Sequence, residues 1–410
     1  MVNSRADWKP ASSLKYGVLT ALLLFQLSGC SLLRPMSAPA PESTAAVVPE
    51  APPSPALKPQ PRASHEFDFY PSRDDVVGQV QVVTTGPDDT LPDLARRFNL
   101  GYEEIVRANP GVDPWLPGVG REIVLPTRFV LPDAPRVGLV VNIAAMRLYY
   151  FPPHGAGQAA KVITHPIGIG KVGWSTPEGV TQIQARVKDP FWIPPLSVRK
   201  EHHADGDELP ARVPPGPDNP LGAYLLRLGW PTYLIHGTNK PYGVGMRSSH
   251  GCIRLYPEDI AEFYKMLPLG TSVRVVNQPY VLGWDHERLL AQAFGSLSDD
   301  KRDWEKGARQ LLDHSKNTHT PLWQKIRAHL ADIDWAAADG LGKVTRGVPE
   351  SVMKATPQTQ DSVIKSALRV QNVLPKGATW AGEERSSAAS AQFQEVLGAR
   401  ESAPDQPAGR

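Results

Sequence analysis

Residues 137–151 read VGLVVNIAAMRLYYF, and this stretch decides the fold. Two runs of aliphatic and aromatic residues flank Ala144-Ala145, which predicts two strands joined by a short turn. More strand-like runs follow at 160–170, 179–190, 230–238 and 271–277, separated by Gly and Pro. Only YPEDIAEFYKML (256–267) reads as a helix there. We therefore predict a mainly β domain, a sandwich or barrel, over residues 136–277.

The composition is that of a globular protein with more than one domain. The chain has 410 residues, a net charge of +2, 41% hydrophobic residues and 21% charged residues. A nucleic-acid-binding protein would carry a concentrated basic face, so we expect no nucleic acid partner. The 42 prolines are an unusually large number, and nine of them fall within residues 35–63.

The first thirty residues are typical of a secretory signal. Arg5, Lys9 and Lys15 precede the apolar run YGVLTALLLFQL at 16–27. A helix needs about 20 apolar residues to span a bilayer, so this run is too short and fits a signal h-region instead. Small residues then lead directly to Cys30, in Leu27-Ser28-Gly29-Cys30.

That last tetrad resembles the lipobox of bacterial lipoproteins. The resemblance implies that Cys30 is lipidated and becomes the N-terminus of the mature chain. Ser31 follows where an aspartate would signal retention in the inner membrane. We therefore expect a periplasmic protein held by lipid in the outer membrane of a Gram-negative cell. A plain signal peptide with an incidental cysteine is the alternative.

Residues 31–66 are rich in Pro and Ala and predict an extended, semi-rigid tether. In a polyproline II conformation this tether reaches on the order of 100 Å at most. At the other end, four amphipathic stretches predict a helical extension over residues 285–382. The Ser-, Ala- and Glu-rich residues 383–410 predict a disordered tail. The extension either packs on the rest of the protein or docks a partner.

Residues 78–131 predict a small strand-helix-helix-strand domain. GQVQVVTT alternates like a strand, two short helical patterns follow, and REIVLPT returns as a strand. The segment resembles a LysM module, which implies binding to the glycan strands of peptidoglycan. It departs from the usual G-D-T-L by one extra residue, in GPDDTL at 86–91. A domain used only for packing is the alternative.

The chemistry centres on Cys252, in SSHGCIRL (248–255). If Cys30 carries lipid, this thiol has no intramolecular partner, so it is either inert or reactive. A histidine within reach would activate it by taking its proton. His250 is separated from it by a glycine turn, whereas His236 ends a neighbouring predicted strand. His236 is therefore the better candidate for the base.

Each of these residues also has an ordinary structural explanation. His236 fits a half-buried histidine bonded to a carbonyl, Gly251 a turn residue, and Arg254 a surface charge. Two histidines and a thiol also suggest zinc, but the spacing matches no finger or ribbon pattern. We expect neither a metal nor a cofactor. The co-occurrence of HGT, SHGC and IR in one window favours a catalytic site.

IHGTN (235–239) followed by SSHGCIRL resembles the catalytic signature of the L,D-transpeptidases, the YkuD family. HPIGIGKVGWSTPEGVTQI (165–183) and VKDPFWIPP (187–195) resemble the upstream stretches of the Gram-negative periplasmic members. With the LysM-like segment, the resemblance covers residues 78–284.

The resemblance implies a role for each matching residue. Cys252 would be the nucleophile, His236 the general base, and the Gly237 carbonyl would orient the imidazole. His250 would be an accessory histidine, and Arg254, with Ser249 and Gly251, would bind the substrate. Backbone N–H groups around Gly251 and Cys252 would form the oxyanion hole.

The implied reaction is acyl transfer from a peptidoglycan tetrapeptide stem, with loss of D-Ala. The acceptor would be a second diaminopimelate amine, forming a 3-3 crosslink, or the lysine of an outer-membrane lipoprotein. The alternatives are a hydrolase that releases lipoprotein or D-Ala, and a non-catalytic wall-binding lipoprotein. A papain-like protease is less favoured because the histidine precedes the cysteine.

Overall fold

The computed structural model describes residues 65–71, 73–155, 158–302 and 320–374. The signal, Cys30, nearly all of the tether and the tail 383–410 lie outside these residues and stay predictions. Among the described residues, no helix is long and apolar enough to cross a bilayer.

Most strands lie in the middle of the chain. They are β1 (Glu66–Phe69), β2 (Val76–Gly78), β3 (Gln81–Thr84), β4 (Glu122–Leu125), β5 (Arg128–Val130), β6 (Gly138–Asn142), β7 (Arg147–Phe151), β8 (Ala160–Pro166), β9 (Ile169–Gly170), β10 (Gly179–Lys188), β11 (Tyr224–Leu228), β12 (Leu234–His236), β13 (Arg247–Ser249), β14 (Ile253–Arg254), β15 (Ser272–Val276), β16 (Tyr280–Asp285), β17 (Arg288–Ala293), β18 (Glu350–Ser351) and β19 (Leu368–Val370). The described helices are α1 (Leu91–Arg97), α2 (Tyr102–Ala108), α3 (Leu196–Ala204), α4 (Pro257–Met266), α5 (Pro321–Ala328), α6 (Trp335–Val344) and α7 (Gln360–Lys365), with 3-10 turns at Pro241–Gly243 and Leu330–Asp332.

The main sheet has nine described strands in the order β1-β8-β7-β6-β15-β10-β11-β12-β14. The β6–β15 and β12–β14 pairs are parallel, and the other neighbours are antiparallel. β10 pairs with β15 through its first half and with β11 through its second half, with an irregularity between Ile183 and Ala185. The mainly β prediction for this region is confirmed.

The β6–β7 hairpin confirms the two strands predicted in the opening stretch. Alternate residues face two different cores. Leu139 and Leu148 belong to a cluster with Phe263 of α4, whereas Val140 and Tyr149 belong to a second cluster. A sheet buried on both faces needs apolar residues at every position, which explains the unbroken hydrophobic run.

The second cluster is shared with the N-terminal segment. The predicted strand-helix-helix-strand order is present as β3, α1, α2 and β4, and Leu94 and Ile105 of its helices pack with Tyr149. Helix α1 begins with a capping box, in which the Thr90 and Asp93 side chains bond reciprocally to backbone N–H groups. Identity with a LysM module stays a prediction, but this segment packs directly on the main sheet.

The C-terminal region is only partly helical. Residues 285–297, predicted as a helix, instead contribute to the β16–β17 hairpin, to which β18 adds a third strand. Leu289 and Leu290 are both fully buried, in different clusters, so tertiary contacts on both faces outweigh the helical periodicity. The stretch 321–341, predicted as one helix, instead forms two, α5 and α6, separated by the 3-10 turn Leu330–Asp332. Most of 301–315 lies outside the described residues.

The stretch 360–374, also predicted as a helix, is helical only in its first half, as α7. Its second half forms β19, which pairs in parallel with β3 at the edge of the N-terminal sheet. The described part of the extension therefore packs on the rest of the protein.

Candidate active site

The site lies where β12 and β14 pair in parallel at one end of the main sheet. The register sets Ile235 opposite Ile253 and His236 opposite Arg254. Cys252 immediately precedes β14. Arg254 lies close enough to both Cys252 and His236 for its charge to act on each of them. The pairing thus brings together three residues predicted from the sequence.

The His236 imidazole is held by backbone. Its Nδ1 lies 2.6 Å from the carbonyl oxygen of Gly237, which accepts the Nδ1 hydrogen. This bond leaves Nε2 unprotonated and available as a base. Burial, and secondarily the positive charge of Arg254, lower the pKa of His236 to about 3. The ring is therefore neutral at physiological pH.

The thiol of Cys252 is half-buried, and its Sγ lies 3.7 Å from the carbonyl oxygen of Thr232. Burial raises the pKa of Cys252, and this outweighs the lowering effects of the Leu234 backbone N–H and of Arg254. Our expectation of an ionised sulfur at rest is therefore not supported. The thiol and the imidazole are therefore both neutral at rest, and the roles of Cys252 as nucleophile and His236 as general base stay predictions.

Thr232 itself is strained, with a φ of +70°. A β-branched residue rarely adopts a positive φ, and such strain is concentrated at functional sites. It fixes the carbonyl that contacts the sulfur. No sequence signal distinguished this threonine.

Gly251 gives the turn before the nucleophile its shape. Its φ is +99°, and a Cβ there would lie 2.9 Å from Cε1 of Tyr233. The Thr176 hydroxyl donates to the Gly251 carbonyl and accepts from the Gly170 N–H, at 3.0 and 3.1 Å. The turn therefore requires glycine and is anchored to the loop after β9.

Of the two serines before His250, Ser249 supports the turn. It is buried, and its hydroxyl donates to the Cys252 carbonyl at 2.5 Å. Ser248 contacts Arg254 through its carbonyl and hydroxyl oxygens, both 3.3 Å from a guanidinium nitrogen. These two Ser248 oxygens are the hydrogen-bond acceptors that the described residues provide to the Arg254 guanidinium, and both are neutral. The guanidinium beside the thiol thus keeps its positive charge available to an anion.

His250 faces away from the pair, toward helix α3. Its Nε2 lies 2.7 Å from a Glu201 carboxylate oxygen, and its ring makes an edge contact with Trp174. Glu201 also pairs with Lys171. Burial lowers the pKa of His250, although the Glu201 hydrogen bond opposes this.

Glu201 was not predicted from the sequence. It precedes His202-His203, and all three residues lie in α3. His202 and His203 pair with Asp207 and Glu208. Nothing in the local sequence indicates that α3 reaches the active site, because the contact joins residues 49 positions apart.

Comparison with known proteins identifies the family of the chain. A family model described as the L,D-transpeptidase catalytic domain (YkuD) matches residues 136–275. The chain is 42% identical over 299 residues to the Escherichia coli protein named probable L,D-transpeptidase ErfK/SrfK, covering 71% of this chain and 92% of that one. The ErfK/SrfK protein of Salmonella typhimurium is 35% identical, over 71% of this chain and 92% of its own. The Escherichia coli protein YcfS is 40% identical over 53% of this chain and 69% of its own.

Among solved structures, the Ldtfm–avibactam carbamoyl enzyme is 23% identical over 38% of this chain and 55% of that chain, with a TM-score of 0.27. A TM-score this low is not evidence for a shared function. The family is shown by the two ErfK/SrfK relatives, which are matched over 92% of their length, together with the catalytic-domain model. This chain therefore belongs to the L,D-transpeptidase family, as a transpeptidase of the type found in Gram-negative bacteria.

Proposed function

We propose that the enzyme transfers the acyl group of a peptidoglycan stem peptide through a thioester on Cys252. One observation supports this proposal: Arg254 lies opposite His236 in the β12–β14 register, and its charge also acts on the Cys252 thiol. Acyl transfer needs a nucleophile, a base and stabilisation of an oxyanion, without a redox step.

In the first step, Nε2 of His236 accepts the thiol proton as the sulfur bonds to the carbonyl carbon of diaminopimelate. Backbone N–H groups at Gly251 and Cys252 stabilise the oxyanion. The C–N bond to D-Ala then breaks, and the departing amine takes the proton from His236. An acceptor amine attacks the thioester, loses a proton to His236, and releases the sulfur as a thiol.

Arg254 binds a carboxylate of the stem peptide. This assignment is supported by its position beside the thiol and by its neutral described partners, the oxygens of Ser248. A planar guanidinium fork suits a carboxylate better than an ammonium does. Arg254→Lys should therefore raise KM for the stem peptide more than it lowers kcat.

The same proposal includes three further points. Residues 78–131 bind glycan, Cys30 carries lipid in the periplasm, and the thioester is resolved by a particular acceptor. The acceptor is a diaminopimelate amine of a second stem or the lysine of an outer-membrane lipoprotein. An assay that offers one enzyme preparation both acceptors, with water always present, distinguishes 3-3 crosslinking, lipoprotein anchoring and hydrolysis by the mass of the product.

The central test is trapping of the thioester. Incubation with a carbapenem should add one acyl group to Cys252, detected by intact mass and peptide mapping. Cys252→Ala should form no adduct and turn over no stem peptide, while circular dichroism shows an unchanged fold. His236→Ala should slow acylation by a factor of about 100 or more. Normal stem-peptide exchange by Cys252→Ala would refute the mechanism.

A further inference from the structure

A second cluster of titratable side chains lies outside the active site, where the chain enters strand β1. His65 precedes β1, His165 lies on β8, and Glu262 lies on α4. One ligand atom from each lies within 4.8 Å of the other two. The mechanism uses none of these residues.

The distances suit a tetrahedral metal ion. Nε2 of His65 lies 3.2 Å from a Glu262 carboxylate oxygen. In a tetrahedral zinc site with bonds of about 2.0–2.1 Å, two ligand atoms are separated by about 3.3 Å. The His65 and Glu262 side chains are 19% and 29% exposed, so they can rotate to close the longer separations and leave an entry path.

His165 is oriented as a metal-ligating histidine is. It is fully buried, and its Nδ1 lies 3.1 Å from the Asn99 side-chain oxygen and 3.2 Å from an Asp259 oxygen. A carboxylate at one ring nitrogen holds the hydrogen there and presents the lone pair of the other, which is the usual outer arrangement around a metal-bound histidine. Asn99 and Asp259 thus lie against Nδ1 of His165, and a metal ion would be bound through Nε2.

The charges also match. Asp259 is fully buried and Glu262 is partly buried, so two carboxylates lie beside two imidazoles. Two imidazole ligands select a transition ion such as Zn²⁺ over Mg²⁺ or Ca²⁺, which prefer all-oxygen sites.

We propose that His65, His165 and Glu262 bind one Zn²⁺ ion, with Asp259 supporting His165 from outside the ligand set. The three ligands come from the residue before β1, from β8 and from α4. The ion would therefore link the N-terminal end of β1 to the catalytic domain. Sequence spacing does not reveal this site, because His65 and Glu262 are 197 residues apart. The site is separate from acyl transfer, and its failure would leave the proposed function intact.

The test uses the full chain with both cysteines replaced by Ala, so that no thiol competes for metal. Equilibrium dialysis should show one Zn²⁺ per chain at micromolar free metal, with a higher Tm, and Mg²⁺ should have neither effect. Titration with Co²⁺ should give the visible absorption of a tetrahedral N/O site. His65→Asn and Glu262→Gln should each weaken binding at least tenfold.

His202→Asn with His203→Asn is the matched control, because these histidines lie next to carboxylates on an exposed helix. This variant should bind Zn²⁺ as the parent does. His65→Asn in the chain that retains Cys252 should keep carbapenem acylation, which shows that it folds. The proposal fails if the parent binds no Zn²⁺ at 100 µM or if His65→Asn binds it as tightly as the parent.

Discussion

The Glu104 carboxylate holds the Arg147 guanidinium through two hydrogen bonds of 2.7 and 2.8 Å, with both side chains almost fully buried. Glu104 lies on α2 of the N-terminal segment, and Arg147 begins β7 of the main sheet. The pair therefore crosses the boundary between the two predicted domains. Removing residues 78–131 would strip this partner from Arg147, so point substitutions are the cleaner test.

Glu104→Gln should destabilise the protein by about 3–5 kcal/mol, because it leaves the Arg147 charge buried without its counterion. Urea unfolding measures this. The matched control is Glu122→Gln, since Glu122 pairs with Arg369 on the surface and the two side chains are 59% and 48% exposed. Its unfolding midpoint should not change. Equal effects of the two substitutions would contradict a buried pair.

Alkylation of Cys252 by iodoacetamide should accelerate about tenfold per pH unit between pH 6 and 8. Burial raises the pKa of Cys252, so the thiolate fraction in this range grows with pH without reaching a plateau. Peptide mapping confines the measurement to this cysteine. A rate that is constant across the range would indicate a preformed thiolate–imidazolium pair instead.

Gly251→Ala should lower the rate of carbapenem acylation at least tenfold, because the added Cβ meets Tyr233 at 2.9 Å and moves the turn before the nucleophile. Gly173→Ala is the control. Gly173 also has a positive φ, of +82°, but a Cβ there meets nothing within 4 Å. Backbone strain alone would slow both variants alike, whereas the structure predicts that only Gly251→Ala loses acylation.

Glu350→Gln should stabilise the protein at pH 8 by about 2–3 kcal/mol and leave it unchanged at pH 4. Burial raises the pKa of Glu350 to about 7 from an ordinary value of 4.5. The folded state therefore binds more protons than the unfolded state between these values, and stability falls as pH rises through this window. Thermal melts at the two pH values measure the difference.

Glu122→Gln is the control for this experiment, since the Glu122 side chain is 59% exposed and is not among the groups that raise the pKa of Glu350. It should show little dependence of its effect on pH. A Glu350→Gln variant with the same stability change at both pH values would show that the carboxyl is not protonated in the folded protein.

Local pattern and chemistry predicted much of this protein. The hydrophobic run around Ala144-Ala145 indicated the β6–β7 hairpin, and the residue types near Cys252 indicated the thiol and the histidine from the neighbouring strand. Both features are encoded within a few adjacent residues, where strand alternation and side-chain chemistry are visible.

The remaining features depend on contacts between distant residues. Leu289 and Leu290 fit a helix or a strand equally well until their partners on two sides are known. The Glu201–His250 contact joins α3 to the turn before Cys252, and no local sequence pattern predicts it. The raised pKa of Cys252 was also missed, since it depends on burial rather than on neighbouring residue types.

The parallel pairing of β19 with β3 has a consequence for biogenesis. During synthesis, residues 81–84 emerge long before their edge partner at 368–370, so the N-terminal sheet stays incomplete until almost the last described residues arrive. A premature stop near residue 360 would therefore remove β19 and leave the edge of β3, in the N-terminal sheet, without its partner strand. Proteases would meet such a product as an open sheet edge on the N-terminal segment.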